Sequence, residues 1–276
     1  MRKVNFFDYG KIFGALPPDV IRNLFMLPHP DISKIYFKLF GFPDIASHVR
    51  FPIIINLCDP KRSDLILDVG CGLGVYSNTI AMKTGAKCIG IDLNVENLRK
   101  ANLISNALKL NSKFHFMNAT KIQFPSESFD KVLCIEVLEH IKDDNQVLAE
   151  IARVLKPGGT LVLSTPIKTM SDEEERIVFA HPKLFQEART GYELRSLEAK
   201  IQKMGLKILK VKHWYRWFTK QALKVMDLLH YRQRLKSIVA IYPFLIPLGL
   251  LDRVHQQVTH EKGWYRCHII LASKSA

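Results

Sequence analysis

The chain has 276 residues, 47% of them apolar and 24% charged, a composition that can bury a sizeable core and excludes large-scale disorder. Its formal charge of +14 is unevenly spread: residues 200–276 hold 15 Lys+Arg against 3 Asp+Glu, whereas residues 1–199 hold 25 against 23. So lopsided a distribution predicts a basic surface on the last quarter, of the kind that attracts nucleic acid, anionic lipid headgroups or acidic substrates.

Residues 1–60 are cut by Pro17, Pro18, Pro28, Pro30, Pro43, Pro52 and Pro60, with helical stretches near Asp19–Met26 and Asp31–Phe40, and are expected to form an N-terminal helical cap. From Asp64 short apolar runs alternate with amphipathic stretches: strands at Leu65–Val69, Cys88–Asp92, Phe114–Met117, Lys131–Ile135 and Thr160–Ser164, and helices at Val75–Lys83, Val95–Leu108 and Asn145–Leu155. Leu155-Lys-Pro-Gly-Gly159 reads as a turn before the fifth strand. Leu194–Met204 reads as a helix stopped by Gly205, Leu206–His213 as a sixth strand and Tyr265–Ala272 as a last one. The alternation predicts an α/β fold with a doubly wound, mostly parallel seven-stranded sheet. Its core would occupy 61–213, with an insertion at 214–263 and the last strand within 264–276. Cys58, Cys71, Cys88, Cys134 and Cys267 form no Cys-x-x-Cys pair, so neither a disulfide framework nor a zinc pattern is expected. The basic start, Met1 to Asp8, holds no apolar run of signal-peptide length, and the expected setting is cytoplasmic. The longest uncharged stretch, Ser237–Leu251, falls short of the ~20 residues of a spanning helix and is interrupted by Pro243 and Pro247.

Leu-Asp-Val-Gly-Cys-Gly-Leu-Gly (Leu67–Gly74) lies between the first strand and the first core helix. Gly70, Gly72 and Gly74 permit a tight turn and let a ligand approach the backbone. A dinucleotide loop has the spacing G-x-G-x-x-G, but here Val75 stands where the third glycine belongs and Gly74 comes one residue early. Asp92 ends the second strand 22 residues after Gly70, where a carboxylate can accept hydrogen bonds from ribose hydroxyls.

With these features, Leu65–Ser77, Gly90–Asn94, Phe129–Ile141 and Leu155–Thr165 resemble the successive motifs of class I S-adenosylmethionine-dependent methyltransferases, in the quinone- and sterol-methyltransferase-like group. The likeness runs over about residues 62–210. It implies a Rossmann-like methyltransferase fold and S-adenosylmethionine as cofactor. The Gly70–Gly74 loop, Cys71 included, would pass the methionine part, with Asp68 near its ammonium group and Ile135 also in the cofactor set. Asp92 would hold the ribose and Leu93 pack on adenine. Asn118 and Ala119 stand where the group usually has an acidic residue and Ala, so Asn118 would accept from the adenine amino group through an uncharged oxygen.

Glu136, Glu139 and His140 follow the fourth strand, at the edge where such sheets bind ligands. They can include a general base, or coordinate a divalent cation as the corresponding segment of quinone O-methyltransferases does. Glu136, His140, His181 and Tyr192 are the candidate catalytic residues, with His48 a further possible base. Methyl transfer asks mainly for positioning and water exclusion, so acceptor choice is expected in the cap pieces: residues 1–60, Ile167–Tyr192 and the insertion. The insertion opens on Trp214, Tyr215, Trp217 and Phe218 among Arg216, Lys220 and Lys224, and continues through Arg232, Arg234 and Lys236 into Ile238–Leu251. That pattern suits either a packed core or, through 214–254, an anionic membrane surface, with a small or lipid-like acceptor and a peripheral location. Two alternatives stay open: an RNA methyltransferase using the basic last quarter, disfavoured because no RNA-binding module or Asn-Pro-Pro-Tyr-type motif is present, and a non-catalytic S-adenosylmethionine-binding protein.

Overall fold

Leu65–Val69 reads Leu-Ile-Leu-Asp-Val and is buried on both faces from Ile66 onward, as a strand inside a parallel sheet must be. A computed structural model describes residues 9–25, 29–41, 45–168, 189–215, 244 and 265–275. In it this strand, β1, lies near the middle of a seven-stranded sheet. The other strands are β2 (Lys87–Asp92), β3 (Ser112–Phe116), β4 (Phe129–Ile135), β5 (Leu155–Pro166), β6 (Leu206–Tyr215) and β7 (Tyr265–Lys274), in the order β3-β2-β1-β4-β5-β7-β6. The first five strands pair in parallel, and β7 runs antiparallel to β5. The chain leaves β1 toward β3, then returns to the other side of β1 as β4. This reversal is the topological switch point at which open α/β sheets bind ligands, outside the carboxyl ends of their strands.

The chain divides into two compact units, one made of Leu57–Asn102, Leu110–His213 and Arg266–Ala276, the other of Met1–Asn56, Leu103–Lys109 and Trp214–Tyr265. In the first, Val69, Val132, Cys134, Leu161 and Leu163 of the sheet are buried with Leu148 and Ile151 of the helix Asp144–Val154 and with Leu197 and Ile201 of Leu194–Lys203. Gly205, at φ +77°, follows that last helix. The expected turn at Leu155–Gly159 is instead the irregular start of β5. Phe129 pairs with Leu155 and Lys131 with Thr160, and this shift of register absorbs Pro157, Gly158 and Gly159 without ending the pairing.

In the second unit the described helices are α1 (Ile12–Ala15), α2 (Pro18–Phe25), α3 (Pro30–Phe40) and α4 (Ile45–Cys58), whose last two residues belong to the first unit. The prolines conceal α4 in the sequence, because Pro52 sits inside it. A mid-helix proline costs ~3 kcal/mol. Complete burial of a large apolar side chain returns ~1.5–3 kcal/mol, and Phe51, Ile54 and Ile55 are all buried, so the helix continues through it. The helices between the strands are α5 (Val75–Thr84), α6 (Val95–Ala107), α7 (Asp144–Val154) and α8 (Leu194–Lys203). All five cysteines are free and buried; burial pushes the Cys58 thiol up to about 12. Among the described residues no helix is long and apolar enough to cross a membrane. The expected insertion lies outside the described residues except for the end of β6 and Phe244, and so do His181 and residues 169–188.

Candidate active site

The turn from β1 into α5 is held by its own amides. Gly70 and Cys71 donate their N–H groups to the Ile91 carbonyl at 2.8 and 3.0 Å, and Gly74 donates to Cys71 at 2.9 Å. Gly72 donates to Asp92 Oδ2 at 2.8 Å. Gly70, Gly72 and Gly74 all have positive φ, which only glycine adopts freely. Their surroundings differ. A Cβ on Gly70 would meet Val137 Cγ2 at 2.4 Å and one on Gly74 would meet Phe114 Cζ at 2.5 Å, whereas one on Gly72 would meet nothing within 4 Å. Gly70 and Gly74 are therefore demanded by packing, and Gly72 is the glycine that leaves room for a ligand. The Cys71 thiol is turned into the protein, beside Leu98, Ala101 and Phe114.

Asp68, fully buried on β1, accepts the Ser77 hydroxyl at 2.7 Å and the Ser77 amide from the first turn of α5. Burial pushes its carboxyl up to about 7 against the lowering effect of the Ser77 bonds, and the Asp92 charge adds to the rise. A pyrophosphate at a helix N-terminus needs unpaired amides and a positive field. Here four loop amides already donate within the protein, and Asp68 and Asp92 flank the turn. The site suits a ligand with hydroxyls and positive charge, not a dinucleotide.

A cavity of about 450 Å³ opens along the ends of β1 to β4, lined by Gly70, Ile91–Leu93, Met117–Thr120 and Glu136, Val137 and His140–Lys142. At its rim Asp92 also accepts the Asn94 amide through Oδ1 at 2.8 Å. A carboxylate has about four lone-pair positions, so two remain for ligand hydroxyls. Leu93, 57% exposed, Ile91 and Met117 give an apolar wall, and Ala119 lines the same space. Asn118 also lines it, but its Oδ1 accepts from the Thr120 amide and hydroxyl, both at 2.9 Å. The oxygen expected to receive an adenine amino group is thus engaged in its own turn. Ile135 is buried at the end of β4 and does not line the cavity.

Glu136 adopts φ +55°, a left-handed conformation costing on the order of 1 kcal/mol outside glycine, of the kind that recurs at functional sites. Its amide donates to the Ser164 carbonyl and its Oε1 accepts the Ser164 hydroxyl, both at 2.8 Å, with Cys267 Sγ 3.6 Å from each carboxylate oxygen. Glu139 is buried and accepts the Thr165 hydroxyl at 3.2 Å, while His140 is exposed, its Nε2 4.0 Å from Glu139 Oε1. Both carboxylates of the possible divalent-cation set thus accept a β5 hydroxyl, from Ser164 and Thr165. Among the described residues no group of three or more His, Cys, Asp or Glu could hold a metal.

Tyr192, expected as a base, is instead a brace. Its hydroxyl donates to Asp144 Oδ2 at 2.6 Å, and burial, followed by that bond, raises its pKa, the wrong direction for a proton acceptor. Arg189 contacts the same hydroxyl, pairs with Asp144 Oδ2 at 2.6 Å and donates to the Lys142 carbonyl at 3.0 Å. Its own amide donates to the Glu139 backbone carbonyl at 3.1 Å. Lys200 closes the cluster on Asp144 Oδ1 at 2.8 Å. Sequence reasoning missed Asp144 and Lys200 and placed Arg189 with Tyr192 only in a lid-like stretch; the signal for Asp144 was Asp143-Asp144 at a helix start, which reads equally as a cap. His48 is buried in the helical unit against the Tyr9 ring, a packing position.

Residues 67–163 match the family described as "Methyltransferase domain". The similarity runs from β1 through the glycine turn into β5. The chain is 34% identical over 157 residues to the sterol 24-C-methyltransferase of Kluyveromyces lactis, covering 54% of this chain and 42% of that one. It is 39% identical over 103 residues to the ubiquinone biosynthesis O-methyltransferase of Aliivibrio fischeri, covering 36% and 43%. The chain thus spans less than half the length of these curated relatives. Phosphoethanolamine N-methyltransferase 2 of Haemonchus contortus, solved in complex with S-adenosyl-L-methionine, superposes with a TM-score of 0.59 at 20% identity, over 99% of this chain and 60% of that one, a likeness of fold. Three features leave room at the cavity for a ligand with hydroxyls and an apolar part: open space over Gly72, Asp92 with lone pairs to spare, and the apolar wall beside it.

Asp68 gives a test with opposite signs for stability and binding. Its folded pKa of about 7 lies above the ordinary 3.8, so the folded protein holds a proton that the unfolded chain releases, and stability falls as pH rises from about 4 to 7. Asp68→Asn keeps an acceptor for Ser77 and removes this cost. Its melting temperature should exceed that of the wild type by a margin that grows across that window and levels off above pH 7. S-adenosylmethionine binding at pH 8, by calorimetry, should weaken by about tenfold through the lost charge. A variant less stable than the wild type at pH 8 would contradict the buried-charge account.

Proposed function

We propose that the protein moves a methyl group from S-adenosylmethionine to a small or lipid-like acceptor such as a quinone, an isoprenoid or a sterol-like ring, at oxygen or carbon. The observation that carries this reading is the Gly72–Asp92 pairing beside an open cavity with an apolar wall. The acceptor class is supported by the relatives, whose names specify a sterol and ubiquinone biosynthesis. The chemistry supplied at the cleft is an electrophilic methyl on a sulfonium, open to in-line displacement.

The residues of this chain bind, orient and shelter. Asp92 would accept ribose hydroxyls, Leu93, Ile91 and Met117 would exclude water from the base, and Asp68 would carry negative charge behind the loop. Glu136, its carboxylate steadied by Ser164, and exposed His140 stand at the cavity, where either can take a proton from an acceptor hydroxyl at Oε or Nε2. We also propose that the basic stretch 214–254, which apart from the end of β6 and Phe244 lies outside the described residues, binds an anionic membrane surface and gives the protein a peripheral location on the cytoplasmic side. Radiolabelled methyl transfer into lipid extract, RNA and protein fractions tests the function. Label is expected in the lipid fraction. Label in RNA alone would favour the basic quarter as an RNA platform, and cofactor binding without label in any fraction would leave a binding protein only.

A further inference from the structure

The stretch Met117–Thr120 leaves the sheet beside Asp92. β3 ends at Phe116, which pairs with Asp92, and the Met117 amide donates to the Asp92 carbonyl at 3.1 Å. A ligand with its hydroxyls on the Asp92 carboxylate would lay its next group against this stretch and the apolar wall of Ile91, Leu93 and Met117. Asn118 brings one side-chain oxygen and one NH2 group to the same cavity. The orientation of its carboxamide is fixed by its partners. The Thr120 amide can only donate, so the atom it meets at 2.9 Å is Oδ1, and the Thr120 hydroxyl reaches the same oxygen at 2.9 Å. Those two bonds use both lone pairs of Oδ1. The turn behind them is held on several sides. The Lys121 amide donates to the Asn118 carbonyl at 3.0 Å and the Ile122 amide to Glu150 Oε2 at 2.7 Å. Arg153 donates to the Ile122 and Phe124 carbonyls at 2.7 and 2.8 Å. Nδ2, at the other corner of the carboxamide, has no acceptor among the described residues. At this point the cavity therefore meets a donor, and a donor cannot pair with an amino group.

We infer that the cleft takes 6-amino and 6-oxo purine nucleosides alike, because Asn118 offers the base an NH2 donor and no oxygen. The inference rests on the nucleoside cofactor proposed above and adds the breadth of base that this chain accepts. A 6-oxo purine can receive Nδ2 on its carbonyl oxygen, and a 6-amino purine can receive it on a ring nitrogen. A site that hydrogen-bonds an N–H of its ligand rejects the analogue lacking it by ~10⁴-fold or more, because the partner is left unpaired. With its one oxygen spent on Thr120, Asn118 supplies no such partner, and an apolar wall has little with which to tell two flat rings of equal size apart.

Titration calorimetry of the full chain with S-adenosyl-L-homocysteine and S-inosyl-L-homocysteine tests it, since the two ligands differ only at the 6-position of the purine. The wild type should bind both, with Kd values within about threefold of each other. Asn118→Asp keeps one oxygen on Thr120 and turns a second, charged one toward the cavity. It should tighten the adenosyl ligand about tenfold, weaken the inosyl ligand, and so widen their ratio to about a hundredfold. The ratio is the readout because a general effect of the added charge, or of a loosened turn, acts on both ligands equally. Asn118→Ala removes donor and acceptor together; both affinities should fall while the ratio stays within about threefold of the wild-type value. A wild-type preference of about a hundredfold or more for the adenosyl ligand would overturn the inference and leave the cofactor reading standing. An Asn118→Asp ratio equal to that of the wild type would do the same. Binding of neither ligand by the wild type would instead remove the nucleoside cofactor itself, and the inference with it.

Discussion

Asp92→Asn should lower S-adenosylmethionine affinity about a hundredfold while costing only ~1–2 kcal/mol of folding stability. The two effects have different origins. In the folded protein Asp92 Oδ2 receives the Gly72 amide and Oδ1 the Asn94 amide. An Asn can accept one of these and must turn its NH2 toward the other, so one donor loses its partner, a loss of the order of a single hydrogen bond because the site is only half-buried. Binding loses more. Hydrogen bonds to a charged acceptor contribute ~1.5–3 kcal/mol each, and in the proposed function two ribose hydroxyls would fall on this one group. Gly72→Ala is the companion change: its Cβ enters the open space above the turn at φ +51°, so it should also depress affinity strongly, with ~1 kcal/mol of backbone strain. Titration calorimetry and thermal melting read both quantities. Affinity within about threefold of wild type in Asp92→Asn would remove Asp92 from the ligand and leave it as a brace for the loop.

Why Asp92 was visible in the sequence and other parts of the cleft were not follows from the range of the interactions. β1, the glycine turn and the end of β2 are written in local pattern: a buried pentapeptide, three closely spaced glycines, all at positive φ, and a carboxylate where a strand stops. The strand order follows almost as directly, because short crossovers leave few topologies. Locality also explains the errors. Pro52 read as a break, since its local cost was visible and the burial of Phe51, Ile54 and Ile55 that offsets it was not. Pro157 and Gly158 read as a turn because the pairing of Phe129 with Leu155, distant in sequence, carries the strand through them. Gly70, Gly72 and Gly74 looked equivalent; Val137, just after β4, and Phe114 of β3 separate the packing glycines from the one that faces space. The hydrogen bonds that tie Glu136 and Glu139 to Ser164 and Thr165 come from the neighbouring strand, β5, and are equally invisible in local pattern. The choice between cofactor classes rests on where the loop amides donate, an account that spacing alone does not contain.

Asp144→Ala should destabilise the protein by ~3–5 kcal/mol, the range seen when one partner of a buried ion pair is removed. The Asp144 side chain is 3% exposed and is shared by Arg189, Lys200 and Tyr192. Burial by itself would raise its pKa, but the Lys200 and Tyr192 hydrogen bonds and the Arg189 charge outweigh burial and hold it below the usual carboxylate range. A depressed folded pKa gives stability that is present above the unfolded value near 3.8 and is lost as pH falls through the folded one. The wild type should therefore lose stability steeply below about pH 4, and Asp144→Ala should be flatter there, a dependence opposite in sign to that of Asp68 and in a separate window. The consequence for function runs through the cleft wall. Arg189 and Tyr192 both reach the backbone of the turn Leu138–His140 and its exit, so loss of Asp144 frees two cations and a hydroxyl beneath residues that line the cavity. The expected result is a raised KM for S-adenosylmethionine with a smaller change in kcat. Tyr192→Phe separates bracing from chemistry. It removes the hydroxyl but leaves Arg189 on Asp144 and Lys142, so it should cost ~1 kcal/mol and leave kcat within about threefold and the pH profile unchanged. A hundredfold loss of kcat with a shifted pH profile would return Tyr192 to the role of base, and would require the hydroxyl to leave Asp144 before each turnover.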